Sequence, residues 1–274
     1  MTATTVTPIG LTPDLDLRGL RRFTTAVNDT FAVMARNIIG YRRVPQLLIF
    51  STVQPVVFVL LFRYVFGGAI SVPGVPYVDF LMPGIFVQTV TFGALNTAIG
   101  LATDLNQGLI ERFRSLPMAR SAVLAGRTLA DLVRNVFVVA LMFAVGFAVG
   151  WRVHTGLLPL IAAVLLILLF GYALSWIFAT VGLIVKDPET AQAAAFPILA
   201  PLVFASNAFV PVASMPDWLQ PWANHQPVSV VITAVRDLTI GGATTFDLIA
   251  AVLWCVAILA VAAPFAVHRY RLAT

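Results

Sequence analysis

Six apolar runs divide this chain, at 47–66, 80–102, 131–150, 157–185, 191–212 and 246–267. A hydrocarbon core of about 30 Å takes about 20 helical residues to cross, so every run is long enough to span a bilayer. Within lipid the backbone N–H and C=O groups must be paired inside the protein, and a helix does this within one segment. The pattern therefore predicts an all-α integral membrane protein with six transmembrane helices. Composition agrees, with 59% hydrophobic and only 11% charged residues, against about 25% charged in an average soluble domain. The fourth run is long enough that its helix must tilt or protrude.

The flanking segments have their own patterns. Residues 1–17 are rich in Thr, Pro and Asp and lack a basic start followed by an apolar core. They read as a disordered cytoplasmic tail rather than a signal peptide. Residues 18–274 then form a single transmembrane domain. Over 18–43, Leu20, Phe23, Val27, Phe31, Met34, Ile38 and Tyr41 recur at gaps of three and four, while Arg21, Arg22, Asp29 and Arg36 fill the other face. This predicts a basic amphipathic helix lying in the membrane interface, ended by Gly40 and Pro45. Between the fifth and sixth runs, Trp218 and Trp222 stand one turn apart, as interfacial tryptophans do. Pro227 then opens a stretch closed by Gly241 and Gly242, which has the marks of a helix start and stop. That stretch is too short to span, so a pair of short re-entrant or interfacial helices is expected before the sixth span.

Lys and Arg set the orientation. With the N-terminus inside, 13 of the 17 basic residues fall on the cytoplasmic side. Only Arg152 and Arg236 fall outside, and Arg63 and Arg134 are read as lying near span ends. Both termini are therefore predicted to be cytoplasmic. The net charge of +5 follows from this topology, with no need for a nucleic-acid partner.

Several functions are disfavoured. A phosphate-binding loop needs a Gly-rich turn followed by Lys and Ser or Thr. The single lysine, Lys186, is followed by Asp187 and Pro188. His154, His225 and His268 are scattered, so neither a metal cluster nor a triad can be assembled, and Cys255 is alone. The chain reads as a protein with no catalytic site, bound cofactor or metal of its own. Ion-coupled carriers place carboxylates within the bilayer. Asp79, Asp104, Asp131, Asp187, Glu189 and Asp247 are all read as lying at span ends or in loops, which argues against that class. Energy must then enter from elsewhere, or nothing is pumped.

One patch stands out between the second and third runs: Glu111, Arg112, Phe113, Arg114, Ser115, Leu116 and Pro117. Asp104, Gln107, Glu111 and Arg114 recur at helical gaps, Leu105, Leu109, Phe113 and Leu116 form an apolar stripe, and Pro117 stops the pattern. A short cytoplasmic amphipathic helix is expected. Its charges and its Phe113 and Leu116 anchors suit a docking site for a soluble partner, or the arginines serve only to fix topology. Within the spans, Gln54, Gln88, Asn96 and Asn207 are costly in lipid and should face the protein interior, on a translocation path or in interhelical hydrogen bonds. Thr89, Gly93 and Thr97, and likewise Gly146 and Gly150, have the spacing of close helix packing. Pro197 and Pro201 should kink the fifth span. Phe204 and Phe209 form an apolar gate or face lipid.

The segments Leu101-Ala102-Thr103-Asp104, Glu111-Arg112-Phe113-Arg114-Ser115-Leu116-Pro117 and Gly126-Arg127-Thr128-Leu129-Ala130-Asp131 resemble permeases of type-2 ATP-binding-cassette exporters. They are most similar to the daunorubicin/doxorubicin-resistance permeases of actinobacteria. Pro216-Asp217-Trp218-Leu219-Gln220-Pro221 and His225-Gln226-Pro227-Val228-Ser229 resemble that family's last outer loop. The resemblance covers about residues 20–270, in order. It implies that residues 104–116 are a coupling helix docking in a cleft of a separate ATPase subunit, through Glu111, Arg112, Phe113 and Arg114, with Leu116 and Pro117 closing the motif. ATP and Mg are expected on that partner. A second copy, or a related permease, would complete the channel in a bacterial plasma membrane. The expected cargo is a hydrophobic or amphipathic drug or lipid. A polysaccharide or glycolipid exporter, and a non-transporting assembly factor or receptor, are the competing readings.

Overall fold

A computed structural model describes residues 15–43, 45–70, 72–109, 120–242 and 245–272, and every regular element among them is helical. In chain order these are α1 (Leu15–Arg43), α2 (Pro45–Leu60) continued by a π-helical turn (Leu61–Phe66), α3 (Tyr77–Gly93), α4 (Leu95–Asn106), α5 (Arg120–Ala148), α6 (Leu157–Val185), α7 (Pro188–Phe204), α8 (Gln220–His225), α9 (Pro227–Ile240) and α10 (Thr245–Leu272).

The centre of the packing is α6. Its sequence is apolar on all sides, as in a helix surrounded by protein or lipid, and it contacts α3, α4, α5, α7, α9 and α10. Gly182 lies so close to the backbone of Ala98 on α4 that a Cβ there would overlap it. The main core gathers Phe86 of α3, Met142 of α5, Ile167 and Phe170 of α6, Leu199 of α7 and Val231 of α9. A smaller one joins Leu101, Leu124, Trp176, Ala266 and Tyr270. The amphipathic α1 packs along α5, burying Val33 and leaving Phe31 and Ile39 exposed.

Four stretches are long and apolar enough to cross a membrane: Tyr77–Asn106, Ser121–Ala148, Leu157–Val185 and Thr245–Tyr270. The first of them is α3 and α4 together, interrupted by one non-helical residue, Ala94. Over the first apolar run the apolar helix is the shorter Thr52–Phe66. The fifth run is carried by α7, which contains Pro197 and Pro201 and stops at Phe204, well before Val212.

Other boundaries also differ from the sequence pattern. Gly40 does not end α1, which starts at Leu15 and continues to Arg43 before Pro45 opens α2. Asp104 is not the start of a separate amphipathic helix. It belongs to α4, which runs to Asn106 and is followed by Gly108 at φ +66°. Asp131 and Arg134 are not at a span end: α5 begins at Arg120, so both lie well inside it. At Lys186 the backbone turns left-handed (φ 62°), and Asp187 caps α7 by accepting a hydrogen bond from Thr190 N at 2.8 Å. That segment is a helix-ending turn.

Candidate functional site

Three helical faces, from α1, α4 and α5, meet in one polar network. Arg127, Asp131 and Arg134 follow one another at helical spacing along α5, as do Thr97, Gly100 and Asp104 along α4. Asn37 and Tyr41 are one turn apart at the end of α1. A helix places residues three and four apart on one side, so each of these sets faces its neighbours as a row.

At the centre is Asp131, with no solvent exposure. It accepts hydrogen bonds from Tyr41 Oη and Thr97 Oγ1, both at 2.6 Å. Arg127 Nε lies 3.9 Å from it and Arg134 Nη1 4.0 Å. Arg127 Nη1 also reaches Asp104 at 3.5 Å and the Asn37 side chain at 3.3 Å. Arg36 joins Asp104 from the other side, at 3.5 Å. The Arg127 guanidinium packs directly against Gly100, where a Cβ would overlap it and force the side chain to move. Burial, reinforced by the Asp131 carboxylate, holds the Tyr41 hydroxyl protonated above the ordinary phenol range. The network ties α1, α4 and α5 together.

The sequence pattern placed Asp131 and Arg134 at a membrane edge; both are buried. A carboxylate therefore does lie inside a helix long and apolar enough to span a membrane, contrary to the expectation. Each of its oxygens accepts from a hydroxyl and faces a guanidinium, which makes it a structural tie. A proton-carrying carboxylate would need to exchange its partners for water.

Arg134 links this network to a cavity of about 280 Å³. Its Nη2 donates to Gly93 O at 2.6 Å, a carbonyl at the end of α3 that also accepts from Asn96 Nδ2 at 3.3 Å. The cavity is lined by Gln54, Gln88, Asn96, Asn135, Gln192 and Arg134, with an apolar wall of Phe92, Leu95, Ile99 and Val138. Three of the residues singled out for a translocation path, Gln54, Gln88 and Asn96, therefore share one cavity. Asn135 and Gln192 were not picked out by pattern.

Asn207, Phe204 and Phe209 lie elsewhere. Asn207 and Phe209 follow the end of α7 and are not part of a span. Asn207 Nδ2 donates to Thr233 Oγ1 at 2.9 Å. Phe209 stacks on Phe62 with centroids 4.4 Å apart, and Phe204 stacks on Phe209 at 5.8 Å. Phe58 of α2 completes the cluster at 6.0 Å from Phe209. Glu111, Arg112, Phe113, Arg114, Leu116 and Pro117 fall outside the described residues. Among the described residues no group of His, Cys, Asp or Glu side chains could hold a metal.

A second polar cluster occupies the other end of the same helices. Asp79 accepts from Arg152 N at 3.1 Å and pairs with His154 Nε2 at 2.8 Å. Arg236, counted on the outer side and within the short helix expected after Pro227, sits in α9 with its guanidinium 3.7 Å from the Phe80 ring centroid. It donates to Phe80 O at 3.1 Å and Asn207 O at 3.0 Å. Tyr77 Oη donates to Phe209 O at 3.0 Å.

The comparisons with known proteins converge. The family described as ABC-2 type transporter matches residues 28–240. The daunorubicin resistance ABC transporter permease protein DrrB1 of Streptomyces coeruleorubidus is 35% identical over 247 residues, covering 90% of this chain and 87% of that protein. The doxorubicin resistance ABC transporter permease protein DrrB of Mycobacterium tuberculosis is 30% identical over 216 residues, covering 72% and 73% respectively.

Proposed function

This chain belongs to the ABC-2 type transporter family, and from that premise we propose that it is the transmembrane subunit of an ATP-driven exporter in a bacterial plasma membrane. The observation that carries the proposal is the match to permeases across nearly the whole length of the chain. Six spans, with both termini cytoplasmic, form half of a channel. A second copy or a related permease supplies the other half, and membrane lipid surrounds the pair. ATP and Mg are bound and hydrolysed on separate ATPase subunits. The cargo is a hydrophobic or amphipathic molecule, in keeping with the drug-resistance names of the relatives.

In this mechanism residues 107–117 couple the motor to the spans. Glu111, Arg112, Phe113 and Arg114 engage a cleft of the ATPase, and Leu116 and Pro117 end the segment. The proposal is supported by what lies on either side of it. The helices before and after the segment, α4 and α5, are joined by Asp104–Arg127 and Thr97–Asp131. Tyr41 and Arg36 add α1 to the same unit. A displacement delivered by the ATPase would reach three helices at once and shift the spans toward outward access.

The test is the triple substitution Glu111→Ala, Arg112→Ala and Phe113→Ala, expressed with the ATPase subunit. Export and transport-linked ATP hydrolysis should fall while membrane insertion and melting behaviour stay unchanged. Undiminished export by this variant overturns the coupling assignment.

A further inference from the structure

The amide-lined cavity has chemistry that nothing above uses. Gln88 is almost fully buried, yet its Oε1 has no hydrogen-bond partner, and the same is true of Asn135 Nδ2. A buried polar atom left unmatched costs about 1–3 kcal/mol, so a site that retains such atoms is suited to a ligand that completes them. Gln88 comes from α3, Asn96 from α4, Arg134 and Asn135 from α5, and Gln192 from α7. Of this set, Asn96 bonds the nearby Gly93 carbonyl.

The lining also selects by charge. Among the described residues no carboxylate faces the cavity, and Asp131 is engaged by Tyr41 and Thr97 on the side of α1 and α4. The Arg134 guanidinium at its edge disfavours a cation. That guanidinium is already bonded to Gly93 O and Asn135 Oδ1 and faces Asp131. It therefore offers little to offset the dehydration of a full anion. What remains is an uncharged group that both donates and accepts. A hydroxyl does both, and it satisfies the Gln88 amide whichever of its two polar atoms is presented. A volume of about 280 Å³ accommodates a small polyol head and not a long hydrocarbon chain. Gln54 and Gln192 are exposed, marking a mouth through which an apolar tail can leave.

The geometry points to this cavity as the binding site for the uncharged, hydroxyl-bearing head of an amphiphile, with its tail lying outside past Gln54 and Gln192. The inference rests on the exporter reading only in taking this amphiphile as cargo.

The test uses the full-length permease in phosphatidylcholine nanodiscs and a photoactivatable diazirine analogue of monooleoylglycerol. Crosslinks should map to residues 88–99 and 134–138. Unlabelled monooleoylglycerol should compete, and oleyltrimethylammonium and oleate should not. Gln88→Leu removes an atom that has no protein partner, so it should melt no lower than wild type while binding the probe about fivefold more weakly, the loss of one ordinary hydrogen bond. Val138→Phe, which fills the cavity from its apolar wall, should abolish labelling there. The inference is overturned by any of three results: no labelling of these peptides, as for a cavity holding only water; equal competition by the cation or the anion; or unchanged binding in both variants. Labelling requires no ATPase, so its failure is distinct from failure of the export assay with the Glu111–Phe113 variant.

Discussion

The two ends of the helical core use charge in opposite ways. Where α1, α4 and α5 meet, charged side chains pair with one another, with Asp131 and Asp104 shared among Arg36, Arg127 and Arg134. At the far end, charged side chains mostly serve backbone groups: Arg236 holds the carbonyl of Phe80 in α3 and that of Asn207 after α7, and Asp79 holds the amide of Arg152. The difference follows from what each end must fasten. Backbone groups along a regular helix are already paired with one another, so α1, α4 and α5 are tied chiefly through side chains. Where helices stop, carbonyls and amides are left over, and a charged group can anchor a loop through them. The first end fastens three helices to one another, and the second holds loops in place.

The sharpest test of the contrast is Asp131→Ala. It leaves Tyr41, Thr97 and two arginines without their shared acceptor. Removing one partner of a buried ionic group typically costs about 3–5 kcal/mol. The purified permease should show a large drop in melting temperature and poor recovery from the membrane. Asp131→Asn, which keeps an acceptor for Tyr41 or Thr97, should lie between. A wild-type melting curve for the alanine variant would show that the cluster is not a tie.

Next in size is Arg236→Leu, which strips the donors from two carbonyls. Hydrogen bonds to a charged group contribute about 1.5–3 kcal/mol, and a loss of about 3 kcal/mol is expected here. Arg236→Lys should not restore it, because one ammonium cannot reproduce the planar fork that reaches Phe80 O while stacking on the Phe80 ring. Restoration by lysine, read from thermal melting, would mean that charge alone matters at this end.

Asp104→Asn should cost less, about 1 kcal/mol. Its contacts to Arg36 and Arg127 are long, at 3.5 Å, and it keeps some exposure. Its effect on transport should exceed its effect on stability, because it loosens the joint between α4 and α5 on either side of the proposed coupling segment. An equal, small effect on both would detach the tie from coupling.

The same contrast explains what could be read from sequence. The amphipathic start, the long apolar helices and the short helix from Pro227 to Ile240 depend on local periodicity and on Pro and Gly punctuation, which are visible in any window. Gln54, Gln88 and Asn96 were recognisable as polar residues out of place in apolar runs, though not as members of one cavity with Asn135 and Gln192. Asp131 and Arg134 were misplaced because a charge next to an apolar run looks like its boundary. Their burial depends on Tyr41, ninety positions away from Asp131, and no local pattern carries that information. Arg236 falls in the short helix expected from Pro227, but its anchoring contacts were not legible because its partners are backbone carbonyls, which leave no trace in residue type.

The smallest effect separates the two atoms that hold Asp79. His154 is about half exposed, with a side-chain accessibility of 46%, while Asp79 is nearly sealed at 4%. An exposed partner of this kind contributes about 0.2–1 kcal/mol. His154→Gln should therefore lower the melting temperature only slightly, since Asp79 keeps the Arg152 amide and His154's own backbone bond to Thr239 O, at 2.9 Å, survives. Asp79→Ala removes the acceptor from both donors and should cost more than His154→Gln does. If the two variants melt alike, the imidazole holds the connection between α5 and α6, and the far end is fastened by side-chain pairing after all. If only Asp79→Ala is damaging, the backbone amide of Arg152 is the fastening that matters, as the contrast between the two ends requires.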